Sequence, residues 1–171
     1  MTNTENKIQK IIDKLDLLSH PEGGFYKEIY RSSGTIHSSS LGSEFIGNRN
    51  YATSIYFLLT SDTFSAFHKI NQDEIWHFYD GSPIELHVIS ESGKHTQHTI
   101  GKDIFNGEVL QLVVPANHWF AAKVINENQY SLVGCGVSPG FDFKDFNLPK
   151  RKDLIEKFPQ FEALITKFTR L

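Results

Sequence analysis

Three stretches of this chain concentrate residues able to do chemistry. They are A-F-H-K-I-N-Q-D-E-I-W-H-F-Y-D-G (Ala66 to Gly81), L-V-V-P-A-N-H-W-F-A-A (Leu112 to Ala122) and H-P-E-G-G-F-Y-K-E-I-Y-R-S (His20 to Ser32). In the first, Phe64, Ala66, His68 and Ile70 share one face of an expected strand, and His68 is its only polar member. Such a histidine is either a satisfied core residue or a group facing a pocket. Burial lowers its pKa and a nearby carboxylate, Glu74, raises it, so an imidazole poised near neutrality is suited to general base work. A tyrosine, Tyr56 or Tyr26, is the candidate to return a proton from the opposite side. Arg31 or Lys69 is the candidate to stabilise an enolate. Lys69 has the wrong parity to share a face with His68.

The third stretch sets Glu22, Tyr26, Glu28, Tyr30 and Arg31 close together. Alternation places Tyr26, Glu28 and Tyr30 on one face. It reads either as an edge strand with surface ion pairs or as a pocket rim that binds ligand through Glu22, Tyr26, Glu28 and Arg31. Phe64, Trp76, Phe78, Trp119 and Phe120 offer aromatic surface for stacking. A divalent metal is the alternative use of His68 and Glu74, with His118 as third ligand. His77 has the opposite parity to Glu74.

These residues need elements to hold them. Ile8, Ile11, Ile12, Leu15 and Leu18 recur at helical spacing, which predicts a helix from about Thr4, its cap, to Leu18, ended by His20-Pro21. Gly23-Gly24 predicts a turn and Phe25 to Tyr30 a strand. Arg31 to Asn50 is rich in Ser, Gly and Asn and reads as a long loop, either plain or serving as a pocket lid or partner contact. From Tyr51 to Val137 short apolar runs alternate with turns: Ser54–Leu59, Phe64–Ile70, Glu74–Tyr79, Ile84–Ile89, His95–Ile100, Val109–Val114, Phe120–Ile125 and Tyr130–Val137. That rhythm predicts an all-β sandwich or barrel. Over about 150–169, Leu154, Ile155, Phe158, Phe161, Leu164, Ile165 and Phe168 return to helical spacing, and Pro159 divides them into two short helices.

A chain of 171 residues suggests one domain and can bury a self-sufficient core. Its 17 basic and 20 acidic residues leave a net charge of −3, which argues against a nucleic-acid partner. Lys150-Arg151-Lys152 reads as a solvated helix start. The single cysteine, Cys135, excludes an internal disulfide and a multi-cysteine zinc site. No apolar run reaches the roughly 20 residues of a membrane helix, and the first residues lack a signal-peptide core. The expectation is a cytoplasmic protein without a membrane role.

The same stretches resemble the cupin-5 family of the cupin superfamily, a domain of unknown function. His68, Glu74 and Gly81 stand at the spacing of the first cupin motif, and Pro115 opens the second. H-P-E-G-G-F-Y-K-E, S-I-Y-F-L-L, V-P-A-N-H-W-F-A-A and V-G-C-G-V-S-P-G-F-D-F-K-D-F follow the family pattern in order, from about Ile8 to Phe168. The resemblance implies a double-stranded β-helix (jelly-roll) barrel with short helices at both ends, an internal pocket for a small-molecule ligand, and a homodimer. It departs from the metal-binding cupins where Ile70, Asn117 and Phe120 replace the second histidine, the glycine and the last histidine. Two of the four usual ligands are thus absent, and the expectation is no cofactor. Nucleotide-sugar epimerases are metal-free cupins, and Phe67-His68-Lys69 and Gly24-Phe25-Tyr26-Lys27-Glu28 look similar to their segments. That likeness implies an epimerase or isomerase with His68, Glu74 and Tyr56 at the reaction centre. A non-catalytic binding protein and a metal-dependent lyase or oxygenase stay open beside it.

Overall fold

A computed structural model describes residues 3–170. The elements in chain order are helix α1 (Asn3–Leu15), strands β1 (Leu18–Ser19), β2 (Phe25–Arg31), β3 (Thr35–Ile36), β4 (Arg49–Asn50), β5 (Thr53–Thr60), β6 (Ser65–His68), β7 (Asp73–Gly81), β8 (Ile84–Ile89), β9 (His95–Ile100), β10 (Gln111–Val114), β11 (Trp119–Val124) and β12 (Tyr130–Ser138), and helices α2 (Arg151–Lys157) and α3 (Glu162–Lys167). A six-stranded sheet, β1-β2-β5-β12-β7-β10, faces a four-stranded sheet, β6-β11-β8-β9, and every named pairing in them is antiparallel. This is the all-β barrel the strand rhythm predicts.

Period-two alternation sorts the side chains. On β5, Phe57 and Leu59 point between the sheets, where they meet Trp76, Leu86, Val88, Phe120 and Val133. Each such side chain, fully buried, is worth about 1.5–3 kcal/mol of hydrophobic stabilisation. Leu58 and Tyr56 point the other way, under the apolar stripe of α1. A second cluster joins the outer face of the four-stranded sheet, through Phe67, Ile89 and Trp119, to Leu154, Phe158, Ile165 and Phe168 of the C-terminal segment. The interior core fills only part of the barrel, and the other part is hollow.

Three expectations change. The first helix already includes Thr4, and it ends at Leu15 rather than Leu18, because Asp16 takes the left-handed conformation (φ +53°). Leu17 then occupies the buried place that helical spacing assigns to Leu18, which is left exposed. The segment from Arg31 to Asn50 is not a plain loop: β3 and β4 pair within it, and a 3-10 turn spans Ser38–Ser40. Its anchor is Arg49, whose guanidinium meets both carboxylate oxygens of Asp145 at 2.7 and 2.5 Å. Gln72 donates to the same carboxylate at 2.7 Å. Among the described residues no helix is long and apolar enough to cross a membrane.

Candidate functional site

The hollow part of the barrel is a cavity of about 350 Å3. Its floor carries four titratable side chains from three parts of the chain: His20 and Glu22 from the turn before β2, His68 from β6 and Glu74 from β7.

The turn is built by its glycines. Gly23 and Gly24 both have positive φ, and a Cβ on Gly23 would meet the Phe64 carbonyl oxygen at 2.2 Å. The amide of Ala66 donates to the Glu22 carbonyl at 2.9 Å, and Arg170 reaches back to the same oxygen and to that of Phe64. The C-terminal residues thus clamp the turn, and the Glu22 carboxylate is driven inward. There its Oε1 accepts from Ser65 Oγ at 2.7 Å. Its Oε2 lies 3.1 Å from His68 Nε2 and 3.3 Å from His20 Nδ1.

A bulge lets β6 supply two of these contacts. Phe120 pairs with His68 and Ala122 with Ser65, so β6 carries one extra residue between them. Strict alternation would put Ser65 opposite His68; the bulge turns both to Glu22. It also breaks the expected shared face, and Phe64 packs instead with the C-terminal cluster. A second bulge acts in β2. Glu28 pairs with Ile55 and Tyr30 with Ser54, leaving Ile29 over. Arg31, not Tyr30, therefore follows Tyr26 and Glu28 to the cavity, and Tyr30 is exposed.

Burial is the largest influence on every floor group. It holds His68 and His20 below the ordinary histidine range and pushes Glu22 up. Glu74 is pushed up to about 7, with the Glu22 charge adding to the rise and His68 opposing it. Burial and the neighbouring Glu74 keep the Cys135 thiol protonated. His68 sets its Nδ1 against the Ala66 carbonyl at 2.7 Å. A carbonyl only accepts, so Nδ1 carries the proton; Nε2 of the neutral ring has none to give, and its approach to Glu22 Oε2 places the proton on that carboxyl, which burial favours. The buried indole Nε1–H of Trp76, in the same wall, lies beside the Glu74 carboxyl and favours its charged form, without meeting an acceptor in full hydrogen-bond geometry.

At the mouth, Arg31 makes four hydrogen bonds. It donates to both Glu28 oxygens at 2.9 and 2.7 Å, to Asn50 at 2.9 Å and to the Phe141 carbonyl at 3.1 Å. Phe141, Phe143 and Phe146 cover the cavity beside His20 and Tyr26, with His20 edge-on to Tyr26 at 4.7 Å.

The structure thus brings together His68, Glu74, Glu22, Tyr26, Glu28, Arg31 and Trp76. It separates the other candidates. Tyr56 lies on the wrong face of β5, packed under α1 and edge-on to Tyr79. Trp119 sits behind the four-stranded sheet with Lys69 over its ring. Phe78 packs against the interior core, away from the cavity lining. Phe120 is a core residue that supports the His68 ring from 4.0 Å without lining the cavity. His118 is held in a turn by the Ala116 carbonyl and does not reach Glu74 or His68 to complete a metal set. Among the described residues, no three His, Cys, Asp or Glu side chains are placed to hold a metal ion.

Sequence reasoning passed over His20, read only as a helix stop. It also passed over the aromatic cover. The alternating F-D-F-K-D-F after Pro139-Gly140 was the available signal, but no periodicity says that a segment after the last strand folds back over the barrel mouth.

Known proteins agree with this architecture. The chain is similar to the uncharacterized protein YML079W of Saccharomyces cerevisiae, 32% identical over 162 residues, or 90% of this chain and 80% of that one. A hypothetical protein from Leishmania major superposes with TM-score 0.87 at 33% identity, covering 95% of this chain and 98% of its own. Protein SO0799 from Shewanella oneidensis does so with TM-score 0.85 at 36% identity, covering 99% of both. Oxalate decarboxylase from Bacillus subtilis shares the fold alone, at TM-score 0.53 and 14% identity over 88% of this chain and 36% of that one. Residues 9–149 match the family described as Cupin superfamily (DUF985). With that match across most of its length, the chain belongs to the cupin-5 family.

Proposed function

We propose that this protein is a metal-independent epimerase or isomerase that moves a proton on a small carbonyl-bearing sugar, with His68 as the base. The observation that carries the reading is the contact of His68 Nε2 with the Glu22 carboxyl, 3.1 Å, at the floor of the barrel cavity. His68 Nδ1–H is fixed on the Ala66 carbonyl, so Nε2 takes the proton from the carbon beside the substrate carbonyl. The imidazolium that forms then donates to the Glu22 carboxyl. Glu74, with its carboxyl raised to about 7, is about half protonated at neutral pH and in that form gives its proton to the developing enolate. Tyr26 takes the proton-returning place considered for Tyr56. The Trp76 indole N–H is a preorganised donor for the enolate oxygen.

The test is solvent deuterium entering a keto-sugar panel. The expected result is exchange in the wild type and none in His68→Gln, with the fold retained by circular dichroism. Equal exchange in both proteins would overturn the assignment.

One observation favours a second reading, a binding protein without chemistry. Both imidazole nitrogens of His68 already have partners at rest, so a catalytic Nε2 must first leave Glu22. That reading predicts thermal stabilisation by a ligand recovered unchanged and without deuterium. The homodimer implied by the family resemblance stands as a further proposal, read by sedimentation velocity.

A further inference from the structure

The charges and rings around the cavity narrow its ligand further than any of these readings. Four carboxyl groups line it: Glu22, Glu28, Glu74 and Asp142. Against them stands one guanidinium, Arg31, and no lysine. That guanidinium is occupied by Glu28 on two nitrogens and by two further oxygens, and the Asp142 charge also stabilises it. His20 and His68 are held neutral by their burial. A phosphate or carboxylate entering here would lose its water and gain no free cation.

The rings add an independent observation. Six aromatic rings of the described residues are covered by a lysine or arginine of the protein, at Tyr130, Phe45, Trp119, Phe158, Phe168 and Phe64. None of these lines the cavity. The cavity's own rings, Tyr26, Phe57, Trp76, Phe141, Phe143 and Phe146, are left without a protein cation. Aromatic faces beside carboxyl groups that outnumber the one guanidinium attract an organic cation.

We infer that the ligand of this cavity is a small molecule bearing a protonated amine and carrying no phosphate or carboxylate. If the proposed proton transfer holds, the substrate is an amino sugar rather than a sugar phosphate, a uronic acid or a nucleotide sugar. The inference deepens the proposed function by resting on the same cavity as the substrate site, but it does not require that chemistry occurs there. The amine faces the carboxyl groups and rings, and the Trp76 N–H is left for a carbonyl or hydroxyl oxygen of the same molecule.

Calorimetric titration of the full chain tests it with a panel matched in size. D-glucosamine and D-galactosamine supply the amine, D-glucose and D-galactose the uncharged isosteres, and D-glucuronate and inorganic phosphate the anions. The expected result is amines bound about tenfold tighter than their uncharged counterparts, with no heat from the anions. The preference should shrink in Asp142→Asn, which lies at the mouth and leaves the floor intact. Glucose equal to glucosamine, an anion bound as tightly as the amines, or no binding by any amine would each overturn the inference. Deuterium exchange on the same panel separates the two claims. Amine binding without exchange leaves the inference standing and removes the epimerase reading. Exchange confined to uncharged or anionic sugars does the reverse.

Discussion

Glu22 and His68, distant in sequence, place a carboxylate oxygen 3.1 Å from an imidazole nitrogen at the floor of the barrel. Neither residue creates this contact alone. Glu22 arrives on a glycine turn clamped by Arg170, and His68 is turned inward by the bulge in β6.

The dyad yields the first prediction. His68→Gln should lower deuterium exchange by about 10²–10⁴-fold, the usual contribution of a positioned base. Glu22→Gln should lower it less, because the ring keeps its Ala66 hydrogen bond and loses only the carboxyl beside Nε2. Exchange rates measured side by side on folded protein check the order. A larger loss in Glu22→Gln would place the base on the carboxylate instead.

Glu74 gives a pH signature. Its carboxyl is ordinary in the unfolded chain and raised to about 7 in the fold, so between roughly pH 4.5 and 7 the native state holds a proton that the unfolded state has lost. This group therefore removes stability as pH rises through that window. His68 and His20, lowered by burial, act in the opposite direction, removing stability as pH falls below the ordinary histidine range. Glu74→Gln isolates the first contribution. Relative to wild type, the variant should gain up to about 3 kcal/mol between pH 4.5 and 7 in urea unfolding. A difference independent of pH would show that Glu74 titrates normally.

The Arg49–Asp145 pair predicts a stability effect away from the floor. Both side chains are almost fully buried, and Gln72 shares the carboxylate. Removing one partner strands a buried charge, so Asp145→Ala should cost about 3–5 kcal/mol. Because Asp145 also closes the 3-10 turn Phe143–Asp145, the aromatic cover should loosen with it. Hydrogen exchange should rise around Ile46–Asn50 and Phe141–Phe146 while the strands stay protected. Uniform loss of protection would mean that the pair supports the whole barrel.

The arrangement of donors predicts the metal content. Protein purified without chelator or affinity metal should carry no stoichiometric transition metal, and His118→Ala should leave content, fold and exchange unchanged. One equivalent of metal lost in Glu74→Gln would point to a metal-dependent cupin.

The sequence by itself determined the strand rhythm, the two helical ends and the family pattern. Those depend on local signals: alternation, helical spacing, Pro159 and the glycine turns act within a few residues of themselves. It also marked His68, Glu74 and the Glu22–Arg31 strand. Tertiary structure decided which of these meet. Two single-residue bulges reversed the parity that placed Tyr30 beside Glu28 and Phe64 beside His68. A bulge answers to its partner strand, which no local pattern reports. Tyr56 was assigned to the wrong face because alternation fixes which residues share a side of a strand but not which side is interior. The pairing of β5 between β2 and β12, with α1 on the outer face, settled that. The aromatic cover and the Arg49–Asp145 anchor are contacts between segments far apart in the chain, and only the closed barrel brings them together.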